Sequence, residues 1–500
     1  MQKNAPVLPV TLFSSGSRRA GPMFRQIAAE LRAGILAGRL KPGMRLPATR
    51  ELANELNVSR NTILGAYGEL FSEGYVEGTQ GSGTFVARSL PEEMLRVGVP
   101  GESKAGVTNK GRRLSKRGET MAAIIPETGS RFLGPVIPFR SSTPDLRSFP
   151  FGIWARLLNK YSRNPAPDLV GSVYPSGLPR LRETVANYLR VSRAVNCESE
   201  QVIIVTGGQM SLDIVLQMLL DPGDRILTED PGYFGIRGVA ARSMARIVHI
   251  PVDGDGISVK DIREKGDDAR LVYVTPSSQY PLGVTMSLSR RLELLEWARN
   301  ADAWIVEDDY DGELRYSGRP IPSLQGLDTD GRVIYMGTFS KVMFPSLRIG
   351  YLIAPPELAK AFGKGRVLAD LTAPAIVQAA VADFIDDGHF DRHLRRMRKL
   401  YADRQDCLVV EARKRLVGLL EIDHTPSGMH LVGWLPERVD DAAVSNAAWI
   451  ENIIASPLSA ASSEPLKRGG LIIGYTAFNE RQIRSGIKGL RSALLTAEKG

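Results

Sequence analysis

The chain has 500 residues, 43% of them apolar, a net charge of +9 and two cysteines. That length implies more than one domain and that composition can fill a large core. The cysteines, Cys197 and Cys407, exclude a disulfide framework and fit a reducing cytoplasm. No apolar run reaches signal-peptide or transmembrane length, so a soluble, cytoplasmic protein is expected. The charge is uneven: residues 1–130 hold 18 Lys/Arg against 11 Glu and no Asp, and the remainder holds 46 against 44. A polyanionic partner is therefore expected at the first quarter of the chain.

In chain order, apolar residues recur at helical spacing from Met23 to Leu36 (Met23, Ile27, Leu31, Ile35), and Lys41-Pro42-Gly43 marks a turn. A short helix is expected over Thr49–Leu56, a tight turn at Asn57-Val58, and a second helix capped by Ser59 and running to about Ser72. Two short helices across so brief a turn read as a helix-turn-helix. Gly74 to Val86 reads as two short strands around a glycine-rich turn, the wing of a winged helix. The second helix opens Ser59-Arg60-Asn61-Thr62. A recognition helix presents such residues to the major groove, where Arg and Asn pair bidentately with guanine and adenine edges. Taken alone, a polar first turn is equally a capped, solvated helix end.

The run LPATRELANELNVSRNTILGAYGELFSEGYVEGTQGSGTFV resembles GntR-type winged helices over nearly its whole length. The resemblance implies that Arg50, Arg60, Asn61, Thr62 and, on the wing, Gly81 occupy DNA-contacting positions on a double-stranded operator. From about Ser89 to Gly134 periodicity is lost, with the basic run Lys110-Gly111-Arg112-Arg113-Leu114-Ser115-Lys116-Arg117 at the centre. Residues 89–134 read as a flexible basic linker between a domain over 1–88 and another over 135–500. It is either a solvated tether or a segment that adds phosphate contacts or orders when the domains rearrange.

From residue 135 strands and helices alternate, the α/β signature of a mostly parallel sheet covered on both faces. Ligands of such sheets gather at strand C-terminal ends. Gln201–Thr206 reads as a strand, and Gly207-Gly208-Gln209-Met210 then opens a helix whose free N–H groups and dipole suit a phosphate. A strand from Leu227 leads to Tyr233, with Arg237 nearby, either facing a ligand carboxylate or exposed on a helix. Leu271–Val274 leads into a loop containing Tyr280-Pro281. Ala303–Val306 is followed by Glu307-Asp308-Asp309-Tyr310-Asp311, and Arg332–Tyr335 by Met336-Gly337-Thr338-Phe339-Ser340-Lys341. A lysine just past a buried strand is desolvated, which lowers its pKa and makes it a nucleophile toward aldehydes. Thr338, Ser340 and Arg348 suit a phosphate. An aldehyde plus a phosphate suggests pyridoxal 5'-phosphate (PLP), although a Ser-Lys pair taken alone is equally a surface loop. Its pyridine nitrogen calls for an acid and its ring oxygen for a phenol, which Asp308 and Tyr310 can supply. His389 and His393 have no metal-ligand spacing, so no metal is expected. Leu431–Trp434 and Leu471–Tyr475 read as strands of a small C-terminal subdomain.

The pair EDDY and GTFSK-(x6)-R resembles the fold-type I PLP proteins of the aspartate aminotransferase group, and EDDYDGE…YMGTFSK…LRIGY resembles the MocR branch of the GntR regulators. The resemblance implies a Schiff base at Lys341 and places Asp308, Tyr310, Tyr233, Gly208, Gln209, Thr338, Ser340 and Arg348 around the cofactor, Tyr233 stacking on its ring. It also implies a homodimer with sites at the interface. Two departures stand out. Tyr280-Pro281 replaces the Asn-Pro of aminotransferases, and Ile472 stands where their last strand carries the carboxylate-binding arginine. Arg468 and Arg237 remain as candidates for effector binding. The expected function is a PLP-dependent transcriptional regulator that senses a small amine, amino acid or PLP vitamer. The rivals are an active aminotransferase fused to a DNA-binding domain, and a regulator of the same build that senses PLP alone. A DNA-binding protein with an empty sensor pocket fits poorly, since every cofactor position is filled.

Overall fold

The structure is a computed structural model that describes residues 21–79, 83–90, 113–124, 136–266, 268–318 and 321–497. Gly81, expected on the wing, lies outside the described residues. The chain divides into two compact units, residues 1–112 and 113–500.

In the first unit, α1 (Met23–Leu36) and α2 (Thr49–Glu55) both pack against α3 (Arg60–Ser72). The apolar spacing of α1 buries Ile27, Ala28, Leu31 and Ile35 on one face, against Leu52, Ile63, Ala66 and Leu70. Each large aliphatic side chain buried there contributes about 1.5–3 kcal/mol. The turn between α2 and α3 passes through Asn57 in the left-handed region (φ 51°), which asparagine tolerates better than most residues. Ser59 then starts α3: its Oγ accepts from Thr62 N at 3.1 Å. β1 (Val76–Thr79) and β2 (Gly83–Val86) pair antiparallel with Val76 opposite Val86, forming the wing. A bridge from Arg45 to Phe85 extends it.

The second unit begins with α4 (Lys116–Ile124) and builds an eight-stranded sheet. Its strands are β3 (Val202–Val205), β4 (Arg225–Asp230), β5 (Arg246–Asp253), β6 (Gly256–Ile257), β7 (Ala269–Val274), β8 (Trp304–Asp309), β9 (Val333–Thr338) and β10 (Gly350–Ile353). The order is β3-β10-β9-β8-β7-β4-β5-β6. The run from β9 to β5 is parallel, while β10 is antiparallel to both its neighbours and β6 to β5. Strands of such a sheet are buried on both faces and read as continuous apolar runs, as Val202–Val205 does. The parallel run brings the C-terminal ends of β4, β7, β8 and β9 to one edge. Flanking helices include α5 (Pro179–Arg193), α6 (Gly208–Leu219) and α7 (Gly235–Ser243). The C-terminal subdomain is a four-stranded antiparallel sheet of β11 (Glu421–Ile422), β12 (His430–Trp434), β14 (Gly470–Gly474) and β13 (Ser456–Pro457), in that order. No helix among the described residues is long and apolar enough to cross a membrane.

One expectation needs correcting. Residues 89–134 read as structureless, yet 116–124 form a helix that packs on α7, where Ile124 faces Gly238. Ser115 caps it by accepting from Gly118 N at 3.0 Å. The cap, Glu119 in the first turn and the Ala-rich end favour a helix locally, although the basic composition obscures the pattern.

Ser59→Ala should lower the stability of the winged-helix unit by about 1 kcal/mol, with Ser59→Asp recovering most of it. Chemical unfolding of the intact chain, followed by hydrogen exchange in α3, measures this; equal stability of all three proteins would show that the cap is dispensable.

Candidate cofactor and DNA sites

Asp308 lies on β8 opposite Met336 of β9. Tyr273 on β7 donates to its Oδ2 at 2.7 Å. Burial, with a further push from Asp309, raises the Asp308 carboxyl to about 7, while the Tyr273 hydrogen bond and Lys341 hold it back. Lys341 lies just beyond β9 and its Nζ donates to Ser142 O at 3.4 Å. Burial lowers its pKa; Arg140 and Arg348 act the same way, and Asp308 and Asp311 oppose them. A neutral, nucleophilic amine is thus favoured at this point. The segment that meets it carries backbone strain: Phe139 (φ 69°) and Ser142 (φ 56°) are both in the left-handed region, and Phe139 is fully buried.

A cradle for an anion lies at the start of α6. Gly207 has φ 120°, and a Cβ there would sit 3.2 Å from both terminal nitrogens of Arg348. The positive φ favours glycine, and its lack of a side chain lets that guanidinium approach the helix N-terminus closely. Gln209 Nε2 donates to Tyr233 Oη at 2.8 Å, which ties the cradle to the aromatic wall. Ser340 N donates to Thr338 Oγ1 at 3.2 Å, and Ser340 Oγ is buried without a partner. Tyr280 meets Tyr233, Tyr310 and His430 edge-on, at centroid distances of 6.0, 6.2 and 5.3 Å. The Tyr310 hydroxyl makes no hydrogen bond of ordinary geometry, although Ser278 and Asp311 lie close enough to influence its ionisation. The nine residues expected around the cofactor lie at the ends of β8 and β9, the start of α6, the turn after β4 and, for Arg348, just before β10.

Behind them is a buried polar layer. Arg193 of α5 donates to Asp309 Oδ2 at 2.7 Å and to Ser277 Oγ at 2.6 Å, and Tyr335 Oη donates to the same Asp309 oxygen at 2.6 Å. Glu307 accepts from Leu324 N and Gln325 N at 2.8 and 2.9 Å. Sequence reasoning missed Tyr273, Arg193, Arg140 and Ser142, which arrive from distant segments with no local pattern to flag them.

The two arginines proposed for effector binding are engaged elsewhere. Arg237 donates to Ser463 Oγ at 2.9 Å and ties α7 to that loop. Arg468 pairs with Glu421 at 2.7 Å and donates to Leu435 O, contacts that brace the small sheet. Ile472 is buried in an apolar cluster with Val432 and Leu458, which leaves β14 without a cation at that position.

On the winged helix, Arg50, Arg60 and Asn61 are exposed. Arg60 Nε donates to Thr49 Oγ1 at 3.4 Å. Thr62 shares a hydrogen bond with Ser59 Oγ at 2.8 Å, so its hydroxyl is partly occupied by the cap. Arg45, which the sequence did not single out, lies against the wing: a Cβ on Gly83 would be 3.0 Å from its Nε.

Two family models match the chain. "Bacterial regulatory proteins, gntR family" covers residues 24–86 and "Aminotransferase class I and II" covers 154–468. The chain is 44% identical over 477 residues to the "Probable rhizopine catabolism regulatory protein MocR" of Rhizobium meliloti, covering 95% of this chain and 94% of that one. It is 30% identical over 462 residues to the "HTH-type pyridoxine biosynthesis transcriptional regulator PdxR" of Corynebacterium glutamicum, with 92% and 93% covered. Among solved structures it is similar to the alpha-aminoadipate aminotransferase LysN of Thermus thermophilus, with a TM-score of 0.69 and 26% identity over 76% of this chain and 97% of that one. The chain belongs to the MocR-type transcriptional regulators of the GntR family, in which a DNA-binding winged helix is joined to a class I aminotransferase-like domain.

Proposed function

We propose that this regulator holds PLP at Lys341 and uses it to sense a small amine, an amino acid or a PLP vitamer. The carrying observation is the half-buried, pKa-lowered Lys341, whose amine donates to Ser142 O and feels both the Asp308 carboxyl and the Arg348 guanidinium. The residues fit the group. The Gly207–Gln209 helix start and Arg348 form a cradle for a phosphate, with Ser340 Oγ buried and free to donate. Tyr233 offers a ring face, Tyr310 an unengaged phenol, and Asp308 an acid for a pyridine nitrogen. When bound, PLP supplies an aldehyde for the lysine and an electron-withdrawing ring. Asp308 would hold a proton at the ring nitrogen, and Arg348 and Ser340 would neutralise and orient the phosphate.

The DNA half of the reading rests on Arg50, Arg60, Asn61 and Thr62, and on the resemblance for Gly81. A cytoplasmic homodimer that places two recognition helices on two half-sites is the arrangement we infer. The effector shifts operator affinity only through a difference in its own affinity for the two arrangements. A working aminotransferase is the second reading. Lys341 suits proton transfer, but Ile472 removes the usual carboxylate anchor, so slow or absent turnover with ordinary amino acids is expected.

The PLP-loaded protein should show a visible absorption band that borohydride traps on the peptide containing Lys341, and Lys341→Ala should lose it while still binding DNA. Absence of the band in wild type would end the cofactor reading. Arg60→Ala should weaken binding to an operator selected from random DNA by about 1–3 kcal/mol, with a smaller loss on unrelated DNA. Equal loss on both makes Arg60 a phosphate contact.

A pH effect also follows. Glu229, Glu307, Asp308 and Glu313 are held at about 7 in the fold, chiefly by burial. The unfolded chain releases those protons first, so stability falls as pH rises from the ordinary carboxylate range to about 7. His393 and His430, held down to about 4, and the lowered His249 act in the opposite sense, but the four carboxyls and the strongly raised Asp311 outnumber them. Thermal unfolding of cofactor-free protein should show the fall, and PLP should reduce it, because a cation then faces Asp308. A stability that rises across that window would mean these carboxyls ionise with partners.

A further inference from the structure

The wing is wider than its two named strands. Residues 43–46 run antiparallel beside β2, on the side away from β1. Gly43 N donates to Val86 O at 2.9 Å, Val86 N to Met44 O at 2.8 Å and Leu46 N to Thr84 O at 2.8 Å. Side chains alternate between the two faces of such an extended segment. Leu46 is buried and Met44 packs against the core of the winged helix. Arg45 between them stands on the outer face and is exposed.

The Arg45 side chain does not project freely from that face. A Cβ on Gly83 would lie 3.0 Å from its Nε, 3.3 Å from Nη2 and 3.5 Å from Cζ. The guanidinium is therefore laid along β2, over a residue that has no side chain. Gly83 has φ 110°, which glycine adopts without strain. It is the first residue of β2, and Gly81 is two positions before it in sequence. A guanidinium held in this way has given up part of its rotamer freedom before any ligand arrives, so less is lost on binding. The salt bridges of this unit are those of Arg32 with Glu69 and Glu73, and among the described residues Arg45 forms none. Glu77 of β1 stands opposite Phe85, so β2 separates it from Arg45.

The same stretch of chain joins the wing to the recognition helix. Tyr67 of α3 donates to Pro47 O at 3.0 Å, and Arg60 of α3 donates to Thr49 Oγ1 at 3.4 Å. The segment between Arg45 and Arg50 is thus pinned to α3 at two points. Arg45, Arg50 and Arg60 then present three exposed guanidinium groups from the wing, the start of α2 and the start of α3.

We infer that Arg45 is a further DNA contact, and that it binds a backbone phosphate beside the wing. Its planar fork matches a pair of phosphate oxygens. Because it lies back along β2 instead of reaching beyond it, it meets the sugar-phosphate backbone and not base edges at the floor of a groove. Such a contact positions the protein and is the same on any sequence. This adds to the DNA half of the reading above, in which Arg60 reads a base.

The test is equilibrium binding of the full-length protein to an operator selected from random DNA and to unrelated DNA of equal length, each over a range of salt concentrations. Arg45→Gln should weaken binding to both by the same factor. Its plot of log K against log salt should be shallower than that of wild type by about 0.9 for each wing on the DNA. Arg45→Lys keeps the charge and should keep the wild-type slope. An unchanged slope in Arg45→Gln, a loss confined to the operator, or an equal fall in slope in Arg45→Lys each overturns the inference. So does loss of hydrogen-exchange protection across β1 and β2 in both variants, which would make Arg45 a brace of the wing. Wild type that binds neither DNA is the separate failure of the DNA half of the reading, and the inference then falls with it.

Discussion

The buried pair of Arg193 and Asp309 is the interaction on which the site depends. Arg193 ends α5, Asp309 ends β8, and the same contacts reach Tyr335 on β9 and Ser277 beyond β7. The pair thus ties a helix to the end of β8, the loop after β7 and the middle of β9. Such a pair gains little over apolar residues of the same shape, but losing one partner leaves a buried charge and costs about 3–5 kcal/mol. Asp308 and Tyr310 flank Asp309 in sequence, and Lys341 follows the strand that carries Tyr335. Their relative placement is inherited from this pair.

The rest of the strand end is an accumulation of unfavourable terms. Carboxyls are crowded into low dielectric, their pKa values raised mainly by burial and by one another, and Lys341 is stripped of water beside them. Phe139 and Ser142 add backbone strain on the opposite wall. A core selected for stability alone would hold apolar residues here. Concentrated local cost of this kind, in an otherwise consistent α/β unit, is the physical mark of a ligand site.

The two halves of the molecule were legible to different degrees. The winged helix was readable almost to the residue, because caps, turns and apolar spacing are local: Ser59, Asn57 and the α1 stripe each act within a few positions. The candidate site residues Lys341, Asp308 and Tyr310 were readable because each sits at or just past the end of a short apolar strand. The arginines were not. Arg468 and Arg237 look available in sequence, and only their partners Glu421 and Ser463 show that they are committed. The helix over 116–124 was hidden by its basic, glycine-containing surroundings, and it gains a packing partner in α7 that sequence spacing does not reveal.

What the sequence determined by itself was the order of the elements, the DNA-reading helix, and which strand ends carry reactive groups, since these follow from periodicity, capping and short motifs. What only tertiary structure decided was which distant residues complete those groups. Tyr273 reaches Asp308 across adjacent strands, Ser142 reaches Lys341 across most of the domain, and Arg348 lies over Gly207.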